Sequence, residues 1–242
     1  MSEVKRICLW SGPRNVSTAL MYSFAQRRDT QVFDEPLYAY YLSHSDAQHY
    51  HPGAEAVLAS QENDGGRVVS MMMAEDRKPV LFFKHMAHHL LTLDRSFMSK
   101  TINVILTRNP ADMLPSFAEV VKTPTLDDVG YRLQVELADD LQRRNLPLLV
   151  MEAKEILLNP EKELTRLCRF AHIPFDRAML TWPSGPRPED GVWADYWYGT
   201  VHRSSGFAPY KPKDAPFPDA LKPLLKTCLP YYERLLASSQ KV

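Results

Sequence analysis

The stretch that most constrains this chain lies near its start. Ile7-Cys8-Leu9-Trp10 is a short apolar run of the kind that forms a buried strand. Ser11-Gly12-Pro13 then breaks it. Beyond the break, Leu20, Phe24 and the small residues between them fit one face of a helix ending near Arg27. Asn15, Ser17 and Thr18 crowd amide and hydroxyl groups into that helix's first turn. Backbone N–H groups there have no intrahelical partner, and the helix dipole adds partial positive charge. Arg14 adds a full one. Strand, tight turn and donor-rich helix start together form a phosphate cradle. An ordinary strand-to-helix turn with a Ser/Thr cap is the simpler alternative. The Walker A spacing of glycines, lysine and Ser/Thr is absent.

The same alternation repeats down the chain. Residues 31–33 predict a second strand, ending at Asp34-Glu35-Pro36, with Pro36 opening a helix. Residues 79–83 predict a third, ending at Lys84-His85, and the following His88 and His89 are expected partly buried or in contact with solvent. Residues 101–107 predict a fourth strand, leading into Arg108-Asn109-Pro110, with Asn109 as cap and Pro110 as first helical residue. Residues 146–151 predict a fifth. A long helix is expected over 126–144, with Val129, Leu133, Leu137 and Leu141 on one face, and a closing helix over 221–236. Five such alternations predict an α/β three-layer sandwich with a mostly parallel central sheet. The length of 242 residues suits one domain over 1–242, with 43–78 as a helical cap or insertion.

Composition removes several function classes. Lys plus Arg equal Asp plus Glu at 29 each, so no global field favours nucleic acid or a membrane surface. No apolar stretch approaches spanning length, and the run Ile7 to Trp10 is too short for the apolar core of a secretory leader, so none is expected. Three scattered cysteines show neither metal spacing nor a disulfide framework, which predicts a cytoplasmic setting. His44, His49 and His51 follow no zinc spacing, so no metal is expected. Residues 37–51 are dense in tyrosine and histidine; their tyrosines read as core packing or as the wall of an acceptor pocket.

Pro13-Arg14-Asn15-Val16-Ser17-Thr18 resembles the phosphosulfate-binding loop of sulfotransferases that use PAPS (3′-phosphoadenosine 5′-phosphosulfate). Val16 stands where that family has glycine, so the loop is expected to keep Val16 in the helical or extended region. Arg108, followed eight residues later by Ser116, resembles the family's grip on the 3′-phosphate. Glu152, Leu157, Pro160, Leu164, Leu167, Phe170, Ile173 and Pro174 fit a further family passage, with Met151 replacing its usual tyrosine. Arg203 and Gly206 resemble a late loop that closes over the 3′-phosphate.

The resemblance implies a P-loop-like sulfotransferase fold. It implies PAPS as donor, held by Ser11, Gly12, Pro13, Arg14, Asn15, Val16, Ser17, Thr18, Arg108, Ser116 and Arg203. It implies a hydroxyl or amine of a small molecule as acceptor. Arg14 and Lys84 are expected to act on the leaving group. For the base, Glu35 is preferred to His85. Family members acting on sugar hydroxyls place a glutamate just after the second strand, whereas the family's third-strand histidine falls one residue beyond His85 in register. Asp34 and Glu35 are expected to face opposite ways, so that only one reaches the acceptor. Two rivals compete: a P-loop small-molecule kinase and a non-catalytic nucleotide-binding module of the same fold.

Overall fold

The computed structural model describes residues 3–212 and 215–239. The single-domain expectation over 1–242 thus includes residues 1, 2, 213, 214 and 240–242, which lie outside the described residues. The five predicted strands form β1 (Lys5–Ser11), β2 (Thr30–Asp34), β3 (Val80–Met86), β4 (Ile102–Thr107) and β5 (Leu148–Glu152). They make one sheet in the order β2-β3-β1-β4-β5, and every neighbouring pair is parallel. β1 therefore sits centrally, and its carboxyl end opens where strand order reverses. That is where open α/β sheets bind ligands.

Alternation within the strands builds two cores. Ile7, Leu9, Val80, Phe82, Val104, Leu106, Leu149 and Met151 face one side. There they meet α1 (Ser17–Ala25) and, beyond β5, α8 (Ala153–Leu158) and α9 (Pro160–Phe170). Cys8, Trp10, Leu81, Phe83, Ile105 and Val150 face the other side. Burial on both faces, mostly by apolar side chains, explains why the strands read as near-continuous hydrophobic runs.

Other elements complete the layers. After β2 come α2 (Tyr38–Ser43), α3 (Ala54–Ser60) and α4 (Gly65–Ala74). Val68 and Met72 of α4 pack on the second core, so part of residues 43–78 belongs to the sheet's covering layer. After β4 come α5 (Pro110–Phe117), α6 (Leu126–Val129) and α7 (Tyr131–Arg143). Asn109 caps α5 by accepting from the Ala111 N–H, with Pro110 in the first turn. A short α10 (Ala194–Trp197) precedes the closing α11 (Lys222–Ser239).

Two expectations change. The helix over 126–144 is two helices, because Gly130 takes a left-handed φ of 73° and ends α6. A β-carbon there would stand 3.4 Å from His88 Nδ1, so the glycine also admits a close neighbour. The helix expected from Pro36 begins two residues later, at Tyr38. The reason is Glu35, whose φ of 42° turns the chain sharply before a helix can start.

Candidate functional site

Above the carboxyl ends of β1, β3 and β4 lies a cavity of about 380 Å³. Pro13, Arg14, Asn15, Val16, Ser17 and Thr18 line one side of it. The N–H groups opening α1 are exposed to this space, since the first intrahelical bond is Leu20 N–H to Val16 C=O at 3.1 Å. Ser11 and Gly12 do not line the cavity. Buried Ser11 contacts Asn15, and the Asn15 amide donates to the Leu106 carbonyl at 2.7 Å. Their part is to brace the loop against β4.

Val16 corrects the sequence reading. It sits at φ 63°, ψ 14°, the left-handed conformation that the family's glycine would take. Arg14 is left-handed too, at φ 55°. For an L-residue this costs about 1–2 kcal/mol. The Asn15 brace and the packing of Val16 on the core hold it.

Cations gather on the loop's far side. Arg14 Nε donates to Ser116 Oγ at 3.0 Å, and its Nη1 to the Trp197 carbonyl at 3.0 Å. Arg108 Nη1 donates to the Arg14 carbonyl at 2.7 Å. Burial lowers the Arg14 pKa, and the nearby Arg108 charge lowers it further while Glu119 opposes. Among the described residues neither arginine makes an ion pair with a carboxylate. Two guanidiniums beside a helix start, neither in a close ion pair among the described residues, are the kind of arrangement that can receive an anion. Arg203 is not part of it: its side chain is exposed, and Thr200, Val201, Ser204 and Gly206 from the same segment line the cavity instead. The segment is a short 3₁₀ turn over Val201–Arg203, which puts its third residue on the outside. Met151 is buried in the core and also misses the cavity, whereas Leu157 reaches it.

The other end of the cavity holds a buried charge cluster. Lys84 Nζ donates to Asp34 Oδ1 at 2.7 Å, to Glu35 Oε1 at 2.5 Å and to Tyr198 Oη at 2.5 Å. All three ammonium protons are thereby used. Asp34 also accepts from the Tyr198 hydroxyl at 2.8 Å and from the Gly191 N–H at 3.0 Å. The two carboxylates were expected to diverge. They converge, because the left-handed turn at Glu35 swings its side chain back toward Lys84. Burial pushes the Glu35 carboxyl up to about 7; Lys84 opposes the rise and Asp34 adds to it. Burial lowers the Lys84 pKa, but the two carboxylates more than offset that, and the net direction is upward.

His85 does not reach the cavity. β3 runs to Met86, past the expected end, so Lys84 and His85 point to opposite faces. His85 lies in the second core, stacked on Trp10 with ring centroids 4.4 Å apart. Burial depresses its pKa to about 3, and neither ring nitrogen has a hydrogen-bond partner. Such atoms are costly, and an apolar ring of like shape removes the cost. His85→Phe is therefore expected to stabilise the fold by about 1 kcal/mol in denaturant unfolding while leaving turnover unchanged. A large loss of turnover would return His85 to the site.

Three other histidines are where sequence reasoning did not put them. His51, His88 and His89 line the cavity beside Tyr38, Trp193 and Trp197, with Phe117 in the same wall. His88 and His89 are buried, not solvent-facing. The signal that could have found them was the tyrosine and histidine density of residues 37–51, which supplies their stacking partners Tyr38 and Tyr41. Among the described residues, no group of three or more His, Cys, Asp or Glu side chains is arranged to hold a metal ion. No helix among them is long and apolar enough to cross a membrane.

Comparison with known proteins gives a consistent result. Residues 5–239 match the sulfotransferase domain family. A relative from Arabidopsis thaliana named branched-chain-amino-acid aminotransferase-like protein 1 is 41% identical over 237 residues, covering 97% of this chain and 42% of that protein. Its namesake, protein 2 of the same plant, is 40% identical over 228 residues, covering 93% of this chain and 40% of the relative. The chain thus spans less than half the length of both relatives. Among solved structures, a sulfotransferase from Alicyclobacillus acidocaldarius superposes with a TM-score of 0.60 at 12% identity, covering 100% of this chain and 98% of its own. The sulfotransferase domain of the Synechococcus PCC 7002 olefin synthase gives 0.54 at 16% identity, covering 93% and 95%. At these identities the likeness is one of fold.

Proposed function

This chain belongs to the sulfotransferase domain family, and from that premise we propose that it transfers a sulfuryl group from PAPS to a hydroxyl or amine of a small-molecule acceptor. The observation that carries the reading is the arrangement of one cavity. At one end lie two arginines that form no carboxylate ion pair among the described residues; at the other lies a buried carboxyl raised toward neutrality. The aminotransferase part of the plant relatives' names describes proteins more than twice as long and is not carried to this chain.

The donor supplies an activated sulfuryl group. The chain's residues do the rest by positioning and charge, as in phosphoryl transfer. The loop N–H groups with Ser17 and Thr18 would hold the 5′-phosphosulfate, and Arg14 would stabilise the charge growing on the phosphate oxygen as its bond to sulfur breaks. Arg108 and Ser116 would hold the 3′-phosphate. Glu35 would take the proton from the acceptor oxygen as that oxygen bonds to sulfur. Lys84 has no proton left to give, so we assign it to fixing Glu35 and tuning its basicity, in place of a contact with the leaving group.

Titration calorimetry tests the donor assignment. Adenosine 3′,5′-bisphosphate is expected to bind without magnesium, which a P-loop kinase would not predict. Arg108→Ala should weaken it about tenfold or more, since a charge-assisted hydrogen bond is worth roughly 1.5–3 kcal/mol. Adenosine 5′-phosphosulfate, which lacks the 3′ group, should change little. Equal losses for both nucleotides would remove Arg108 from the 3′ site, and no binding of either would leave the chain a module without a donor site.

A further inference from the structure

The acceptor end of the cavity contains more unmet hydrogen-bonding capacity than a single reacting hydroxyl can use. His51 Nε2, His88 Nδ1 and His89 Nδ1 are each buried without a hydrogen-bond partner. The three rings belong to one cluster. His89 stacks between Tyr38 and Tyr41 at centroid distances of 4.8 and 4.7 Å, and His88 stands edge-on to His89 at 4.7 Å. The Tyr38 hydroxyl meets His51 Nδ1 at 2.9 Å. One ring nitrogen of His51 is thereby engaged, and the other, Nε2, is buried with no hydrogen-bond partner.

Burial is the largest cause lowering the pKa of each histidine: His51 to about 4, His88 to about 3, and His89 well below its usual value. All three are neutral near pH 7. Neutral imidazoles present both donors and acceptors but cannot balance a ligand charge. The carboxylate in the same wall, Asp128, is already engaged by the Tyr50 hydroxyl and by the Thr125 N–H and hydroxyl. Next to the cluster, His89 Nδ1 lies 3.9 Å from Glu35 Oε2. A hydroxyl delivering its proton to Glu35 therefore has a second hydrogen-bonding position beside it.

We propose that His51, His88 and His89 form an acceptor subsite selecting an uncharged, flat ring with two adjacent hydroxyls, one reacting at Glu35 and its neighbour bonded to His89 and His88. Trp193, Trp197 and Phe117 line the same cavity and supply its aromatic surface. This rests on the sulfotransferase reading for the reacting hydroxyl, but the subsite can be tested without transfer. Phenol, catechol and salicylate form a matched set: one hydroxyl, two adjacent hydroxyls, and a carboxylate in place of the second.

The protein, saturated with adenosine 3′,5′-bisphosphate, is titrated with each while the histidine ring ¹⁵N signals are followed. Catechol is expected to shift the His88 and His89 signals and to bind about tenfold tighter than phenol or salicylate. Assignment by His88→Phe and His89→Phe identifies the signals. In the transfer assay, the catechol-to-phenol ratio of kcat/KM should fall about tenfold in His89→Phe, which keeps the stacking between the tyrosines. Equal binding of catechol and phenol, tighter binding of salicylate, or an unchanged ratio in the variant would overturn the subsite. Catechol binding with the expected shifts but no transfer to any acceptor would instead overturn the proposed activity and leave the subsite standing.

Discussion

Glu35→Gln is expected to reduce turnover at least about a hundredfold with bisphosphate affinity intact, because a general base contributes typically 10²–10⁴-fold. Glutamine keeps the shape and an acceptor oxygen for Lys84, which spares the packing. What it loses is the ability to take a proton. The pH dependence gives an independent reading. Burial raises the Glu35 carboxyl to about 7, with Lys84 opposing and Asp34 adding. The base works only when ionised, so wild-type turnover should fall as pH drops through about 7, approaching a tenfold loss for each unit below it. The residual activity of Glu35→Gln should lack that limb. A variant that keeps wild-type turnover, or that keeps the same acidic limb, would assign the base elsewhere.

The second large effect concerns the fold as much as the chemistry. Lys84 is fully buried and supplies the cation for two buried carboxylates. Removing one partner of a buried ion pair costs about 3–5 kcal/mol, because the remaining charge has lost its compensation. Lys84→Met preserves much of the volume and is expected to lose stability by that amount at pH 8. The sign of the pH effect follows from the direction of the Glu35 shift. A carboxyl whose folded pKa is raised favours folding when protonated, and that contribution is lost as pH rises through the folded value. Without the lysine the shift is larger, so Lys84→Met should lose less at pH 5 than at pH 8. Equal urea midpoints for the variant and the wild type at pH 8 would show that the cluster is not a cation-balanced unit.

How legible was this in the sequence? The strands were, because each is buried on both faces and reads as an unbroken apolar run. The loop and the Arg108–Ser116 pair were also visible, since both sit where a strand hands over to a helix and the caps are written locally. What escaped was set by parity and by distant packing. Extending β3 to Met86 decides that Lys84 faces the cavity and His85 the opposite core. The apolar run alone, ending at Phe83, did not fix that. The left-handed turns at Val16 and Glu35 were hidden because neither residue type favours them; neighbours far along the chain impose them. The break at Gly130 was written in the sequence as a lone glycine, but the helical spacing on both sides masked it. The burial of His88 and His89 depends on tyrosines nearly fifty residues earlier, which no local pattern reveals.

The brace on the loop has a consequence for biosynthesis. Asn15 reaches a carbonyl 91 residues downstream, the Arg14 carbonyl is held from 94 residues away, and the Arg14 guanidinium meets Trp197 at a separation of 183. Contacts of such span form only after long stretches of chain have been closed, and a β-branched residue does not hold a left-handed turn unaided. The residues of the loop are thus synthesised well before the residues that hold them in their working shape. A nascent chain that ends before residue 102 carries the whole motif yet cannot form the cradle, because β4 is not there to hold it. The loop's working shape is therefore a late product of folding, completed only once synthesis has passed Trp197.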